Sequence, residues 1–359
     1  MRSWLHYVFI LGSLGLGSSM NCYAQKIFEQ RTARWAEEVE QSYRNGIKYL
    51  VGSQNAQGYW TDDSYGSETG VVGLAVVAIL AHGDDPNFGP YKDAVHKGLK
   101  YILDKANKDT GYIGTSMYNH GFATLALAEA YGVVNEPRLG PALRRAVDLI
   151  VNAQKKNPLG AWRYSPEAKD ADVTVSGAQM VALLAAKNAG LHVPKAAFEK
   201  GRKFMVKCQS SNGGFGYTSP SGPNAPRSAI GCLSLALTNR FLPLRERDAA
   251  MLGLKGKGNN NAEVYYAKAL DDARGFLVNQ SDSVQSHYQL YSLYYTSQAI
   301  FHAIPKEWPA WNQKNIKRLK ASQNNETGSW SGSYGTTFST SAALLSLALN
   351  YRFLPIYER

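Results

Sequence analysis

The chain is short of charge, of cysteine and of long apolar runs, and each shortage removes a class of protein. Charged residues make up 19% of the 359 positions against 44% hydrophobic ones. That balance fits a chain with a large buried core and is neither that of a disordered segment nor that of a fibre. Beyond the N-terminus no segment reaches the roughly 18 uninterrupted apolar residues of a membrane helix, so no transmembrane segment is expected in the mature chain. The seven histidines are scattered, and no spacing suggests a metal set or a cofactor. No basic run is interleaved with aromatics as in nucleic-acid modules, so no nucleic-acid partner is expected.

The N-terminus carries what the rest lacks. Arg2 is followed by the apolar run YVFILGSLGLG and by NCYAQK, in which Ala24 is a suitable small residue for cleavage. Residues 1–24 read as a secretory signal peptide, too short for a stable membrane anchor. The mature chain, 25–359, is therefore expected to be exported, to the periplasm or outside the cell. Cleavage would remove Cys22 and leave Cys208 and Cys232 in an oxidising compartment, where they could pair. Cys232, however, sits in AIGCLSLAL, a setting where a free thiol acts as a small buried hydrophobe.

The formal charge of +11 is spread over stretches such as RLGPALRR, EKGRKFMVK and NIKRLK. These read as the solvated faces of outer helices.

A repeat of about fifty residues runs through the sequence. Its first unit reads ARWAEEVEQSYRNGIKYLVGSQ, then NAQGYWTDDSYG, then SETGVVGLAVVAILAHG. The first part places Trp35, Val39, Tyr43, Ile47 and Leu50 on one face, and the last is apolar on every face. Six such pairs can be counted, the fifth degenerate and preceded by the polar stretch GLKGKGNNNAEV. No pair can bury its own apolar face, but neighbours can do so for one another. The expected fold is all-α, a single-domain α/α toroid in which wholly apolar helices form an inner ring and amphipathic ones an outer ring.

Between the helices of a pair, a glutamine, a glycine and an aromatic ring recur: Gln54, Gly58 and Trp60; Gln154, Gly160 and Trp162; Gln323, Gly328 and Trp330; with Gln209, Gly214 and Phe215 as a variant. The glutamine amide is expected to donate to carbonyls at the C-terminal end of its own helix. The glycine would permit a tight turn, and the ring would pack beneath.

This pattern resembles the QW repeat of squalene and oxidosqualene cyclases and the related repeat of protein prenyltransferase β subunits. The resemblance covers nearly the whole mature chain and implies the α/α toroid. Class II triterpene cyclases also carry a DxDD acid motif. The segment DADVTV resembles it, with Asp170 and Asp172 at the first two acids, Thr174 at the following threonine and Val173 in place of the last acid. The resemblance thus implies an isoprenoid or other apolar ligand in a central cavity, with cyclase or transferase chemistry at Asp170 and Asp172.

In a toroid the inner-helix N-termini converge on one end, where their dipoles favour an anion. Candidate residues there are His120, as a base or donor in the first turn of an inner helix, and Tyr118, Trp162, Arg163, Tyr164, Tyr217, Arg227, Tyr291 and Tyr295. Their rings could stabilise a cation or stack on a sugar. The pair Asp62 and Asp63 reads as turn chemistry. Asp172, directly before VTVSGAQMVALL, is also placed as an N-cap, a role suited to a carboxylate rather than to a proton donor. Two alternatives stand beside the cyclase-like reading. One is a non-catalytic binding module with an envelope protein partner, docking through NYRFLPIYER. The other is a polysaccharide lyase-like toroid using His120, Arg163 and Tyr164.

Overall fold

The computed structural model describes residues 34–61, 65–242, 261–280, 289–351, 353, 354 and 356. Among them are twelve helices and no strand, in the expected alternation. The outer helices are α1 (Arg34–Ser53), α3 (Lys92–Lys105), α5 (Leu139–Lys156), α7 (Lys195–Lys207), α9 (Asn261–Gln280) and α11 (Trp308–Ser322). The inner ones are α2 (Thr69–Leu80), α4 (Met117–Ala130), α6 (Val173–Asn188), α8 (Ala225–Phe241), α10 (Gln289–Ala303) and α12 (Thr336–Ala348).

The inner helices pack in chain order, and α12 returns to α2, so the ring is closed. Each of α3, α5, α7 and α9 sits in the groove between two inner helices, and α1 packs against both α12 and α2. This is the α/α toroid that the periodicity calls for. Every residue of α2 is buried, whereas α3 buries one stripe, Ala94, Val95, Leu99, Ile102 and Leu103 among its residues. Small residues set the spacing of the inner ring: a Cβ on Gly73 would stand 2.7 Å from the Phe122 carbonyl oxygen, so α2 and α4 touch backbone to backbone.

The recurring triplet is a stitch between outer helices, and the roles of its members differ from expectation. Gln54 Nε2 donates to Gly58 O in its own turn and to Ala94 O in α3, both at 3.1 Å. Gln154 joins Gly160 to Ala197 of α7 at 2.9 and 2.8 Å. Gln209 joins Gly213 to Ala269 of α9 at 3.1 and 2.8 Å. Gln323 joins Gly328 to Ser42 of α1 at 2.7 and 2.9 Å. The bond back to the triplet's own helix comes instead from the tryptophan, where Trp60, Trp162 and Trp330 donate Nε1–H to Leu50, Ile150 and Leu319. An amide with two protons can span two backbones, whereas an indole has one donor and must choose. Gly58, at φ +92°, lies so close to α3 that a Cβ would approach Lys97 O to 2.2 Å.

At the opposite end of the ring the chain folds back on itself. Tyr351 donates its hydroxyl to Glu40 at 2.7 Å and meets the Tyr43 ring at 5.2 Å, and Leu354 and Ile356 are buried. Tyr351 thus ties the tail to α1, while Phe353 is 52% exposed; Tyr357 lies outside the described residues. Among those residues no helix is long and apolar enough to cross a membrane. Cys208 and Cys232 are buried free thiols, and burial pushes each up to about 12. The signal-peptide reading of 1–24 falls outside the described residues, as do Asp62 and Asp63.

Candidate functional site

The loops that lead into the inner helices surround a cavity of about 540 Å³, within the size range of small-molecule sites. Its rim is made of helix starts. Ser116 caps α4 by accepting from Asn119 N, Asp172 caps α6, and Asn224 caps α8 by accepting from Arg227 N. Glu68 stands at the N-cap position of α2, but its side chain bonds elsewhere.

Of the candidate residues, the structure brings Tyr118, Tyr164, Tyr217, Arg227 and Tyr291 together on the cavity wall. Tyr65, Tyr334, Phe122 and Phe338 add further rings to that wall. The rings form a continuous belt. Tyr65 meets Tyr334 at 6.1 Å between centroids, Tyr334 meets Phe338 at 5.2 Å, and Tyr291 meets both. The Tyr291 and Tyr118 hydroxyls lie 3.3 Å apart, the Tyr118 and Tyr164 rings 6.0 Å, and the Tyr164 and Tyr217 hydroxyls 2.6 Å. Each of these hydroxyl pairs satisfies one partner's O–H donor within the wall. Burial raises Tyr118, Tyr217 and Tyr291 above the usual phenol range, so these rings stay neutral.

The remaining candidates are not among the lining residues. Asp172 is fully buried; its Oδ1 accepts from Thr174 N at 2.8 Å, Thr174 Oγ1 at 2.6 Å and Val175 N at 2.9 Å. Its Oδ2 faces Arg163 Nη1 at 3.2 Å. Asp170 is exposed and pairs with Arg163 Nε at 3.3 Å. The Arg163 guanidinium also lies 5.0 Å from the centres of both the Tyr164 and Tyr217 rings. One arginine thus ties the DADVT segment to the belt. Trp162 and Tyr295 are buried in the core.

His120 is buried, with both ring nitrogens engaged: Nδ1 accepts from Ile113 N at 3.1 Å and Nε2 faces Ala146 O of α5 at 3.0 Å. Since Nδ1 must be the acceptor, Nε2 carries the proton and donates it to Ala146. Burial pushes the imidazole down to about 4. The second repeat lacks the glutamine of the triplet, and His120 supplies the missing tie to the next outer helix.

Glu68 carries no signal in the sequence, where SETG is only the polar start of a helix that is otherwise apolar. Its Oε2 accepts from Asn119 Nδ2 at 2.6 Å and Thr115 Oγ1 at 3.0 Å, and it lines the cavity. Among the described residues it is the one carboxylate of the lining. No group of three His, Cys, Asp or Glu among those residues could hold a metal ion.

No protein-family model matches the chain, and no curated protein matches it in sequence. Solved structures are similar in fold. A family 76 glycoside hydrolase (mannosidase) from Bacteroides thetaiotaomicron VPI-5482 superposes with a TM-score of 0.62 at 10% identity, over 86% of this chain and 97% of that one. A type II terpene cyclase from Scytonema gives 0.53 at 16% identity, over 88% and 97%. An inactive variant of an α-1,6-mannanase of Salegentibacter sp. HEL1_6, in complex with α-1,6-mannotriose, gives 0.58 at 9% identity, over 88% and 99%. The chain has an α/α toroid fold that solved enzymes of two different chemistries share. At these identities the likeness extends to the fold alone.

Proposed function

We propose that this protein is an exported, cyclase-like toroid of the QW-repeat kind that binds an isoprenoid-like or other apolar ligand in its central cavity. The observation that carries this reading is the belt of seven rings, Tyr65, Tyr334, Phe338, Tyr291, Tyr118, Tyr164 and Tyr217, around a cavity of about 540 Å³. Neutral rings in mutual contact offer a surface that gains by excluding water and that tolerates positive charge on a ligand. Asp172 supports binding rather than protonation chemistry: its carboxylate is spent on a helix cap and on Arg163. Any acid or base step on a bound ligand would fall to Glu68, whose carboxylate lines the cavity.

A carbohydrate-active role is the second reading, favoured by the fold likeness to the mannosidase and the mannanase. Tyrosine rings stack on pyranose faces as readily as on isoprene units. Hydrolysis of a glycoside ordinarily needs two carboxylates flanking the bond, and the described lining offers Glu68. The polysaccharide lyase-like variant of this reading would need His120 to reach substrate through the Ile113 and Ala146 contacts that enclose it.

Incubating the purified mature protein with squalene, prenyl diphosphates and α-1,6-mannotriose, followed by extraction and mass spectrometry, separates the two. Retention of an isoprenoid, lost in Tyr291→Ala, is the expected result. Retention or cleavage of mannotriose with no isoprenoid retained would replace the first reading with the second.

A further inference from the structure

The charges on the cavity wall are sorted by position. In the closed ring α2 and α8 are third neighbours in both directions, so their N-termini face each other across the mouth. Glu68 stands at the start of α2 and Arg227 in the first turn of α8, and both line the cavity.

Each is held by part of its polar group. Glu68 receives both donors, Asn119 and Thr115, on Oε2, and Oε1 has no partner among the described residues. Arg227 donates Nε–H to Asn224 Oδ1 at 3.1 Å and Nη2–H to Gly222 O at 2.5 Å, and Nη1 has no partner among them. A carboxylate and a guanidinium fixed in this way are pre-oriented, and their remaining atoms can meet a ligand without further ordering of the side chains.

The belt between them is divided in the same sense. On the α6–α8 side Tyr164 and Tyr217 already carry a cation, Arg163, over their faces, and Arg227 stands 5.9 Å from the Tyr217 centroid. A ligand cation would be repelled there, whereas the start of α8 and Arg227 suit an anion. On the opposite side the rings of Tyr65 and Tyr334 line the same cavity as Glu68, whose backbone N–H donates to Tyr65 O at 2.8 Å, and a carboxylate in an aromatic-lined cavity suits an ammonium group. Burial also lowers the Arg227 guanidinium's hold on its proton, the sign of a cation short of solvation.

We infer that the cavity takes an amphiphile with a dipolar head, its ammonium end seated between Glu68 and the Tyr65–Tyr334 rings and its acidic end on Arg227. This rests on the reading of the cavity as a site for an apolar ligand, and adds to it the polarity and direction of the head. Glu68 and Arg227 are then specificity-determining residues rather than structural ones.

Four decyl probes test this, each kept below its critical micelle concentration: a phosphocholine, a trimethylammonium, a sulfate, and an uncharged dimethylphosphine oxide as near-isostere of the trimethylammonium. Titration calorimetry of the full mature protein should show the phosphocholine binding at least tenfold more tightly than the isostere. Glu68→Gln should weaken the trimethylammonium probe about tenfold and leave the sulfate unchanged, and Arg227→Gln should do the reverse. Both substitutions introduce a neutral side-chain amide that can still hydrogen-bond at the position, and an unchanged melting curve excludes a folding defect. Free phosphocholine tests the tail: affinity much weaker than that of the decyl ester is expected, and equal affinity overturns the inference that the ligand is an amphiphile. Equal binding of the isostere and the charged probes overturns the inference but leaves the apolar-ligand reading standing, as do substitutions that weaken all probes alike. Failure of every probe, the isostere included, overturns both.

Discussion

The side-chain amide of Gln323 donates to the backbone carbonyl of Ser42 at 2.9 Å, across 281 positions of sequence. It is the same bond that Gln54 makes to Ala94 and Gln154 to Ala197, but here the next outer helix is the first one. Replacing Gln323 by alanine removes two hydrogen bonds and leaves two carbonyls short of a donor. The expected cost is about 2 kcal/mol of unfolding free energy. Urea titration checks it, and Gln154→Ala should cost a similar amount, because both amides join one outer helix to the next.

The two kinds of left-handed glycine should separate cleanly. Gly58 and Gly190 share a positive φ, +92° and +88°, but a Cβ at Gly58 would meet Lys97 O at 2.2 Å while one at Gly190 would meet nothing within 4 Å. Gly190→Ala should cost only the backbone strain, about 1 kcal/mol. Gly58→Ala adds a clash with α3 and should cost about 3 kcal/mol or more. Equal melting temperatures for the two variants would show that the turn can move away from α3.

Asp172 has two structural duties, and two substitutions divide them. Asparagine can still cap α6 but cannot pair ionically with Arg163, so Asp172→Asn should cost about 1 kcal/mol. Alanine loses the cap as well and should cost about 3 kcal/mol in total. Ligand retention should survive Asp172→Asn, since the side chain is enclosed behind the wall. Loss of retention with an unchanged melting curve would return Asp172 to the site.

His120 should make the fold acid-sensitive. Its native value is pushed down to about 4 from the 6.5 of a solvated imidazole, so the unfolded chain takes up a proton first as the pH falls. The stabilisation is complete above about 6.5, declines between there and about 4, and is spent below. About 3 kcal/mol is at stake over that window. Denaturation midpoints at pH 7, 5 and 4 should fall accordingly, and the His120→Gln variant should lose most of that slope.

Most of the toroid was legible in the sequence because burial writes itself into periodicity. Segments such as TGVVGLAVVAIL are apolar on all sides, and KDAVHKGLKYILDK on one, and a closed ring of six such pairs hides both kinds of surface. The ring of tyrosines was legible for a different reason: Tyr118, Tyr164, Tyr217 and Tyr291 each fall near the start of an inner helix or in the loop before it. What the sequence hides is the partner of each donor. Gln54 reads as a cap on its own helix because the carbonyl it reaches, Ala94, is 40 positions away. Glu68 looks like turn chemistry until α4 places Asn119 and Thr115 beside it. His120 looks reactive until Ile113 and Ala146 close over it.

The return of α12 to α2, together with the stitch from Gln323 to Ser42, removes any distinction between first and last repeats. An open array of helix pairs needs polar ends to stop it growing, but a closed one has no ends to protect. The nick in the covalent chain can then be moved without moving an interface: with a linker joining α12 to α1, a circular permutant opened between Gly190 and Pro194 keeps every helix-to-helix contact and both faces of the cavity.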